Sequence, residues 1–179
     1  MSILVLVMGL PGVGKSTVGK IISKKMNAVF FDTDDIKHKL VPKLLGKEVY
    51  KERIKKQLIH PYHVRKRVYE QMCIEVEKLL KENKDVIVEA TFYTKELRGM
   101  VYKLAKFLKA KLYIVEVVCP DKIVKKRIMK RFRETGHPAR IGIYEGIKNI
   151  WEPIEEEHFV IDTGKDIDEQ VDKFLKQIN

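Results

Sequence analysis

Cysteine is scarce in this chain: two among 179 residues, Cys73 and Cys119, far apart and in no Cys-x-x-Cys pair. That excludes a disulfide scaffold and a cysteine-built metal site, and each thiol reads as a small buried apolar group. Long hydrophobic runs are missing too. No stretch approaches the roughly 18 uncharged apolar residues of a membrane span, and Met1-Ser2-Ile3-Leu4-Val5 lacks the basic lead of a secretory signal. A soluble, cytoplasmic protein with no membrane partner is expected. Repeats and Gly/Pro/Ser-rich linkers are absent, so residues 1–179 read as one domain with a continuous core. Acidic residues are in deficit, 25 against 36 Lys and Arg, for a formal charge of +11. Such an excess can attract a polyanion, but Lys51, Lys55, Lys78, Lys81, Lys103, Lys106 and Lys125 fall at helical spacing, as on solvated helix faces. Nucleic acid therefore stays open as a partner. His60 and His63 flank Tyr62 with no acid or cysteine at metal-ligand spacing, and read as decoration of a helix start.

What the chain does have is a glycine-rich turn in an informative place. Gly9-Leu10-Pro11-Gly12-Val13-Gly14-Lys15-Ser16-Thr17 follows the apolar run Ile3 to Met8 and opens an amphipathic stretch, the strand–loop–helix setting of a phosphate-binding loop. Glycines let the backbone wrap a phosphate without Cβ clashes, so that successive N–H groups and a helix N-terminus face the anion. Lys15 would bridge the β- and γ-phosphates of a nucleoside triphosphate, and Ser16 would hold Mg²⁺.

Short β-branched runs alternate with longer helical periods, which predicts an α/β protein with a parallel sheet. Strands are expected at Ile3 to Met8, Ala28 to Asp32, Asp85 to Glu89, Lys111 to Val117 and His158 to Asp162. Helices are expected at Lys15 to Met26, Asp34 to Leu45, Pro61 to Glu82, Lys95 to Lys109, Asp121 to Arg133, Tyr144 to Glu152 and Ile167 to Ile178. Ligands of such sheets lie beyond the carboxyl ends of the strands, so those ends hold the candidates. Asp32, Asp34 and Asp35 follow the second strand. There an acid can take or orient an acceptor's hydroxyl proton and a neighbour can organise Mg²⁺, although Asp at a helix start is also an ordinary cap. Glu89 closes the third strand, as a ligand to a magnesium water, a contact to the acceptor or a plain exposed acid. Arg127 and Arg131, one helical turn apart, can grip a transferring phosphoryl group and the adenine or ribose, and Gly136-His137-Pro138 beyond them reads as a lid. Thr163 and Gly164 end the fifth strand and can offer backbone groups to a base edge. Trp151 and Phe159 read as core, and Tyr50, Tyr62, Tyr69, Arg65 and Arg67 as residents of an acceptor lobe.

The glycine loop, Thr33-Asp34-Asp35-Ile36-Lys37, Val86-Ile87-Val88-Glu89-Ala90-Thr91-Phe92 and Arg127-Ile128-Met129-Lys130-Arg131, in that order, resemble the small P-loop kinases. The nearest likenesses are polynucleotide 5′-hydroxyl kinases, zeta-toxin-like kinases and archaeal O-phosphoseryl-tRNA kinase, although Lys37 and Glu89 stand where polynucleotide kinases usually have Arg and Asp. The resemblance implies a three-layer P-loop NTPase fold of adenylate-kinase-like type, five parallel strands in the order 2-3-1-4-5, an acceptor lobe at about 34–82 and a lid at about 132–146. It further implies Asp34 as the acceptor-activating acid, Arg131 and Arg127 on the phosphoryl group with Lys15, and nucleotide binding by Gly9, Pro11, Gly12, Val13, Gly14, Lys15, Ser16, Thr17, Thr163 and Gly164. Ser16, Asp32 and Glu89 would serve Mg²⁺. The activity expected is ATP- and Mg²⁺-dependent transfer of the γ-phosphoryl group to a hydroxyl of a small molecule, nucleotide or nucleic acid. The rival is a nucleotide-dependent switch or adaptor ATPase with no acceptor, which would have no need of Asp34.

Overall fold

A computed structural model of the chain describes residues 2–135 and 141–178. Its element order is β1 (Ile3–Met8), α1 (Lys15–Met26), β2 (Val29–Asp32), α2 (Asp34–Leu45), α3 (Lys47–Lys55), α4 (Tyr62–Lys81), β3 (Val86–Glu89), α5 (Lys95–Phe107), β4 (Lys111–Val118), α6 (Asp121–Thr135), α7 (Ile141–Asn149), β5 (Phe159–Asp162) and α8 (Ile167–Ile178). The strands form one sheet in the order β2-β3-β1-β4-β5, every pair parallel, so the strand order inferred from the resemblance is the one observed. The arrangement is the α/β P-loop kinase-like fold.

Central β1 shows why the sheet is covered on both faces. Side chains alternate along a strand. Leu4, Leu6 and Met8 join one core with Met72 and Val76 of α4 and Leu97 and Val101 of α5. Val5 and Val7 face the opposite core with Val18 and Ile22 of α1 and Val171 and Phe174 of α8. The uninterrupted apolar run Ile3–Met8 is thus the signature of a strand buried from above and below. Trp151 packs against the first core and Phe159 against the second, as expected of them. A third, smaller cluster of Val41, Val64 and Val68 joins α2 to α4, and builds the lobe beyond the ends of β2 and β3.

Two departures from the expected elements have local causes. The helix α3 has no buried residue, so no apolar stripe announces it. The short helix expected at Tyr144–Glu152 runs instead over Ile141–Asn149. Pro153 disfavours helical backbone at Glu152, and the chain leaves the helix so that Glu152 can donate its N–H to the Tyr93 carbonyl at 2.8 Å.

Candidate active site

Parallel pairing brings the carboxyl ends of the strands level, and register then decides which side chains meet. Asp32 of β2 and Val7 of β1 both pair with Glu89 of β3, so Glu89 stands between the acidic turn after β2 and the loop after β1. That loop depends on its glycines. Gly12 and Gly14 have φ of +83° and +101°, values in which an L side chain is strained. A Cβ on Gly9 would lie 2.3 Å from the Val117 carbonyl oxygen. Gly14 precedes α1, whose first residues Lys15 and Ser16 face the cleft.

Lys15, Ser16 and Glu89 form one cluster. The Lys15 ammonium donates to the Leu10 carbonyl at 3.2 Å and lies 3.5 Å from Glu89 Oε1. The Ser16 hydroxyl donates to Glu89 Oε2 at 2.9 Å. Glu89 is not the exposed strand-end acid of the bland reading, because it is buried and its backbone carbonyl accepts from the Thr33 hydroxyl at 3.2 Å. Burial pushes its carboxyl above the ordinary range, opposed by Lys15 and Ser16 and assisted by the nearby charges of Asp32 and Asp34.

The acidic turn separates its members by task. Asp32 Oδ1 accepts the Asp34 N–H at 2.8 Å and so fixes the entry to α2. Asp34 is the first residue of that helix, not its cap, and its exposed carboxylate accepts from Lys37 at 3.0 Å. Asp32 and Asp34 line the cleft together with Lys15, Ser16 and Glu89, whereas Asp35 lines a separate surface groove with Lys39 and Lys43.

On the far wall, α6 carries Arg127 and Arg131 to the cleft, with Ile128 and Phe132. Arg127 is also a brace. Its guanidinium donates to Thr163 Oγ1 and to the Thr163 carbonyl, both at 2.8 Å, and to the Val13 carbonyl at 3.4 Å. The Thr163 hydroxyl in turn donates to Val13 O at 2.5 Å. Thr163 therefore stands against the glycine loop, touching the position where a Gly14 Cβ would be, whereas Gly164 packs beside Pro120 and Ile123; neither is among the residues lining the cleft, and nor are Gly9 and Val13. Of the expected lid, residues 132–135 end α6 and 141–146 begin α7, while Gly136, His137, Pro138, Ala139 and Arg140 lie outside the described residues.

The cleft, about 490 Å³, continues past Asp34 and Lys37 into a compartment that sequence reading did not assemble. Its walls are Val41 of α2, Ile54 of α3, Leu58, Ile59, His60, Arg65, Val68 and Tyr69 of α4 and the turn before it, Tyr93, and Ile143 and Ile147 of α7. His60, expected to decorate the helix start, is buried here and stacks on Tyr50 with centroids 5.6 Å apart. Phe92 shapes this wall. It is fully buried yet has φ of +50°, a conformation costly for a bulky residue. Two contacts hold it: its N–H donates to the Tyr69 hydroxyl at 3.0 Å, and the fully buried Arg98 donates to its carbonyl at 3.0 Å. Arg98 also donates to the Glu152 and Pro153 carbonyls at 3.1 and 2.8 Å, tying the loop after β3 to the chain leaving α7. Only the position of Tyr93 just past a strand end marked it in the sequence.

Among the described residues no three His, Cys, Asp or Glu side chains gather to hold an ion by themselves. Magnesium is ordinarily held by one or two protein oxygens with substrate phosphates and water completing its shell. A Ser16 hydroxyl already directed at a buried carboxylate, with Asp32 beside it, fits that demand. Among the described residues no helix is long and apolar enough to cross a membrane.

Several solved structures share the fold over nearly the whole chain. A sugar kinase from a Janibacter species is 15% identical, with a TM-score of 0.77 over 99% of this chain and 95% of its own. The Mycobacterium tuberculosis APS kinase, solved with AMPPNP and APS, is 19% identical, with a TM-score of 0.69 and coverage of 99% and 97%. Chaetomium thermophilum Kti12, solved with ADP-AlF3, is 15% identical, with a TM-score of 0.71 and coverage of 98% and 96%. No curated protein sequence matches the chain. Residues 4–143, which hold the glycine loop, the acidic turn, Glu89 and both cleft arginines, match the AAA domain family AAA_33, and the chain belongs to that family.

Proposed function

We propose that this chain is an ATP- and Mg²⁺-dependent kinase that transfers a γ-phosphoryl group to a hydroxyl of a small acceptor. One observation carries the reading. The Lys15–Ser16–Glu89 cluster and the acid Asp34 line one continuous cleft, which extends beyond Asp34 into a compartment walled by α2, α3, α4 and α7. A nucleotide switch needs the first half of that cleft and has no use for the second.

The roles follow from position. The loop Gly9–Thr17 presents backbone N–H groups to the β-phosphate, and Lys15, released from Glu89 and the Leu10 carbonyl, neutralises charge between the β- and γ-phosphates. Mg²⁺, held by Ser16 with Glu89 and Asp32 in its outer shell, would supply charge neutralisation on the phosphates. Asp34 accepts the proton of the acceptor hydroxyl as its oxygen bonds to phosphorus and the bond to the departing ADP oxygen breaks. Arg131 reaches the γ-phosphoryl group, while Arg127 serves partly through its grip on Thr163 and Val13, which keeps the glycine loop in shape. The apolar walls of the compartment exclude water that would otherwise compete as acceptor.

The test is a screen of labelled γ-phosphate transfer to sugars, sugar acids, nucleosides, amino-acid derivatives and oligonucleotides. Transfer to at least one hydroxyl acceptor is expected, and Lys15→Ala should lower it by about a hundredfold or more, the scale for deleting one preorganised charge donor. Hydrolysis of ATP unaffected by any acceptor, or a Lys15→Ala variant with more than half the wild-type kcat, would defeat the assignment.

A further inference from the structure

Many cations of this basic chain have a carboxylate beside them, Lys15, Lys25, Lys66 and Arg67 among them, whereas Arg65, in the first turn of α4, faces none among the described residues. Its guanidinium lies over the Tyr93 ring, 4.3 Å from the centroid, with the Tyr62 ring at 5.9 Å. Arg65 Nε and Nη1 are buried and have no hydrogen-bond partner among the described residues, and the buried Tyr93 hydroxyl has none either. Burial pulls the Arg65 pKa below its ordinary value, and the groups opposing that pull are the phenols of Tyr93, Tyr69 and Tyr62. A half-buried guanidinium left in this condition is costly to the folded state, and an arriving anion is what relieves it.

Arg65 and Tyr93 line the compartment beyond Asp34, whose other walls include Val41, Val68 and Ile147. The nucleotide end has cations of its own in Lys15, Arg127 and Arg131. Resting on the kinase assignment above, we propose that the compartment is an oxyanion subsite, and that the acceptor is a small hydroxyl compound whose carboxylate, phosphate or sulfate is gripped by Arg65 and the Tyr93 hydroxyl. The planar guanidinium can present two parallel N–H donors to such a group, and an apolar surround strengthens the pairing. A polynucleotide strand fits less well. The next two basic residues along the helix, Lys66 and Arg67, are paired with Glu96 at 2.5 Å and with Glu70 at 2.9 Å, so no electropositive stripe continues outward from Arg65.

Two measurements test the subsite. In the first, protein saturated with AMPPNP and Mg²⁺, so that the glycine loop is filled, is titrated with inorganic phosphate and with inorganic sulfate, and binding is read by calorimetry. The wild type should bind at least one of these ions, Arg65→Met should lose that binding, and Arg65→Lys, which keeps the charge but not the fork, should weaken it by about tenfold. Tyr93→Phe, which keeps the ring under the guanidinium, should weaken it less, and it also reports on the site if Arg65→Met fails to fold. Absence of binding to the nucleotide-filled wild type, or binding indifferent to Arg65, overturns the proposal.

In the second, transfer is compared within pairs that differ by the anionic group: gluconate and glucose, glycerol 3-phosphate and glycerol, glucose 6-sulfate and glucose. The three pairs separate carboxylate, phosphate and sulfate as the source. The charged member of one pair should exceed its neutral counterpart in kcat/KM by about tenfold or more, and Arg65→Met should erase that ratio while leaving the KM for ATP unchanged. Transfer to neutral members regardless of Arg65 removes the subsite and leaves the kinase standing. Arg65-dependent anion binding with no transfer to any acceptor removes the kinase and leaves the subsite.

Discussion

Glu89→Gln sets stability against function at one atom. The wild-type carboxylate is buried, 3.5 Å from the Lys15 ammonium. At an effective dielectric constant of about 20, that separation corresponds to roughly 5 kcal/mol of attraction, while removing two ions from water costs several kcal/mol each. Attraction and desolvation thus nearly cancel, and the upward displacement of the Glu89 pKa says that desolvation has the larger share. A folded-state value above the unfolded 4.5 means that the native protein holds this proton more tightly than the unfolded chain does. The stability so gained is complete below pH 4.5 and is lost as pH rises through the folded value. Glutamine stays neutral and escapes that loss. It can still accept from Ser16, and Lys15 keeps the Leu10 carbonyl and an opening to the cleft. Urea denaturation of the nucleotide-free protein should therefore find Glu89→Gln within about 1 kcal/mol of wild type at neutral pH. Its stability relative to wild type should improve as pH climbs from 4.5 through the folded value. Phosphoryl transfer by the same variant should fall by about a hundredfold or more, since the charge that organises Ser16 and Lys15 is gone. A loss exceeding about 3 kcal/mol at every pH would show the pair to be a net anchor and refute the reasoning.

Asp34→Asn removes an exposed carboxylate that does not cap its helix, so stability should shift by less than about 0.5 kcal/mol, with nucleotide affinity unchanged. Transfer should drop by about 10²-fold or more if Asp34 takes the acceptor proton; steady-state kinetics beside a melting curve checks both halves. Arg98→Met deletes three hydrogen bonds from a fully buried guanidinium to the carbonyls of Phe92, Glu152 and Pro153. About 3 kcal/mol of stability should go with it, measured by urea denaturation, and a loss under about 0.5 kcal/mol would mean that the loop after β3 is held by something else.

The nucleotide half of the site was legible because its chemistry is written locally. Gly9, Gly12, Gly14, Lys15 and Ser16 sit within one turn and one helix start, Asp32 and Glu89 each end a strand whose apolar run is plain, and Asp34 opens the helix two residues past the first of them. In a parallel sheet, strand ends must meet at one edge, so contiguous sequence was enough. The compartment proposed for the acceptor comes from Val41, Ile54, Tyr93 and Ile147, on four separate segments whose convergence is a product of packing and has no periodic signal. Thr163 shows the limit from another side. Its loop was expected to address a base edge, and its hydroxyl, carbonyl and N–H are engaged by Val13, Arg127 and Val118. Sequence marks a strand-end residue as available for chemistry, but only the fold shows whether its polar groups are already committed.

The same distinction governs charge. A formal +11 would suggest a phosphate-covered partner if the cations stood alone, but on the helix faces Lys51, Lys56, Lys78, Lys81 and Lys173 each pair with a glutamate three or four residues away. Pairs of this kind are worth little to stability, yet they cancel field at distances beyond a Debye length, which leaves little long-range attraction from those faces. Arg65 differs by position, not by charge: its neighbours on α4 and after β3 are phenols, and burial strips away the water that would otherwise screen it. In the proposed kinase, one cation desolvated beside an acid-bearing cleft would have more influence on which acceptor binds than the paired cations of the helix faces, because its cost is relieved only by a ligand that carries the missing charge.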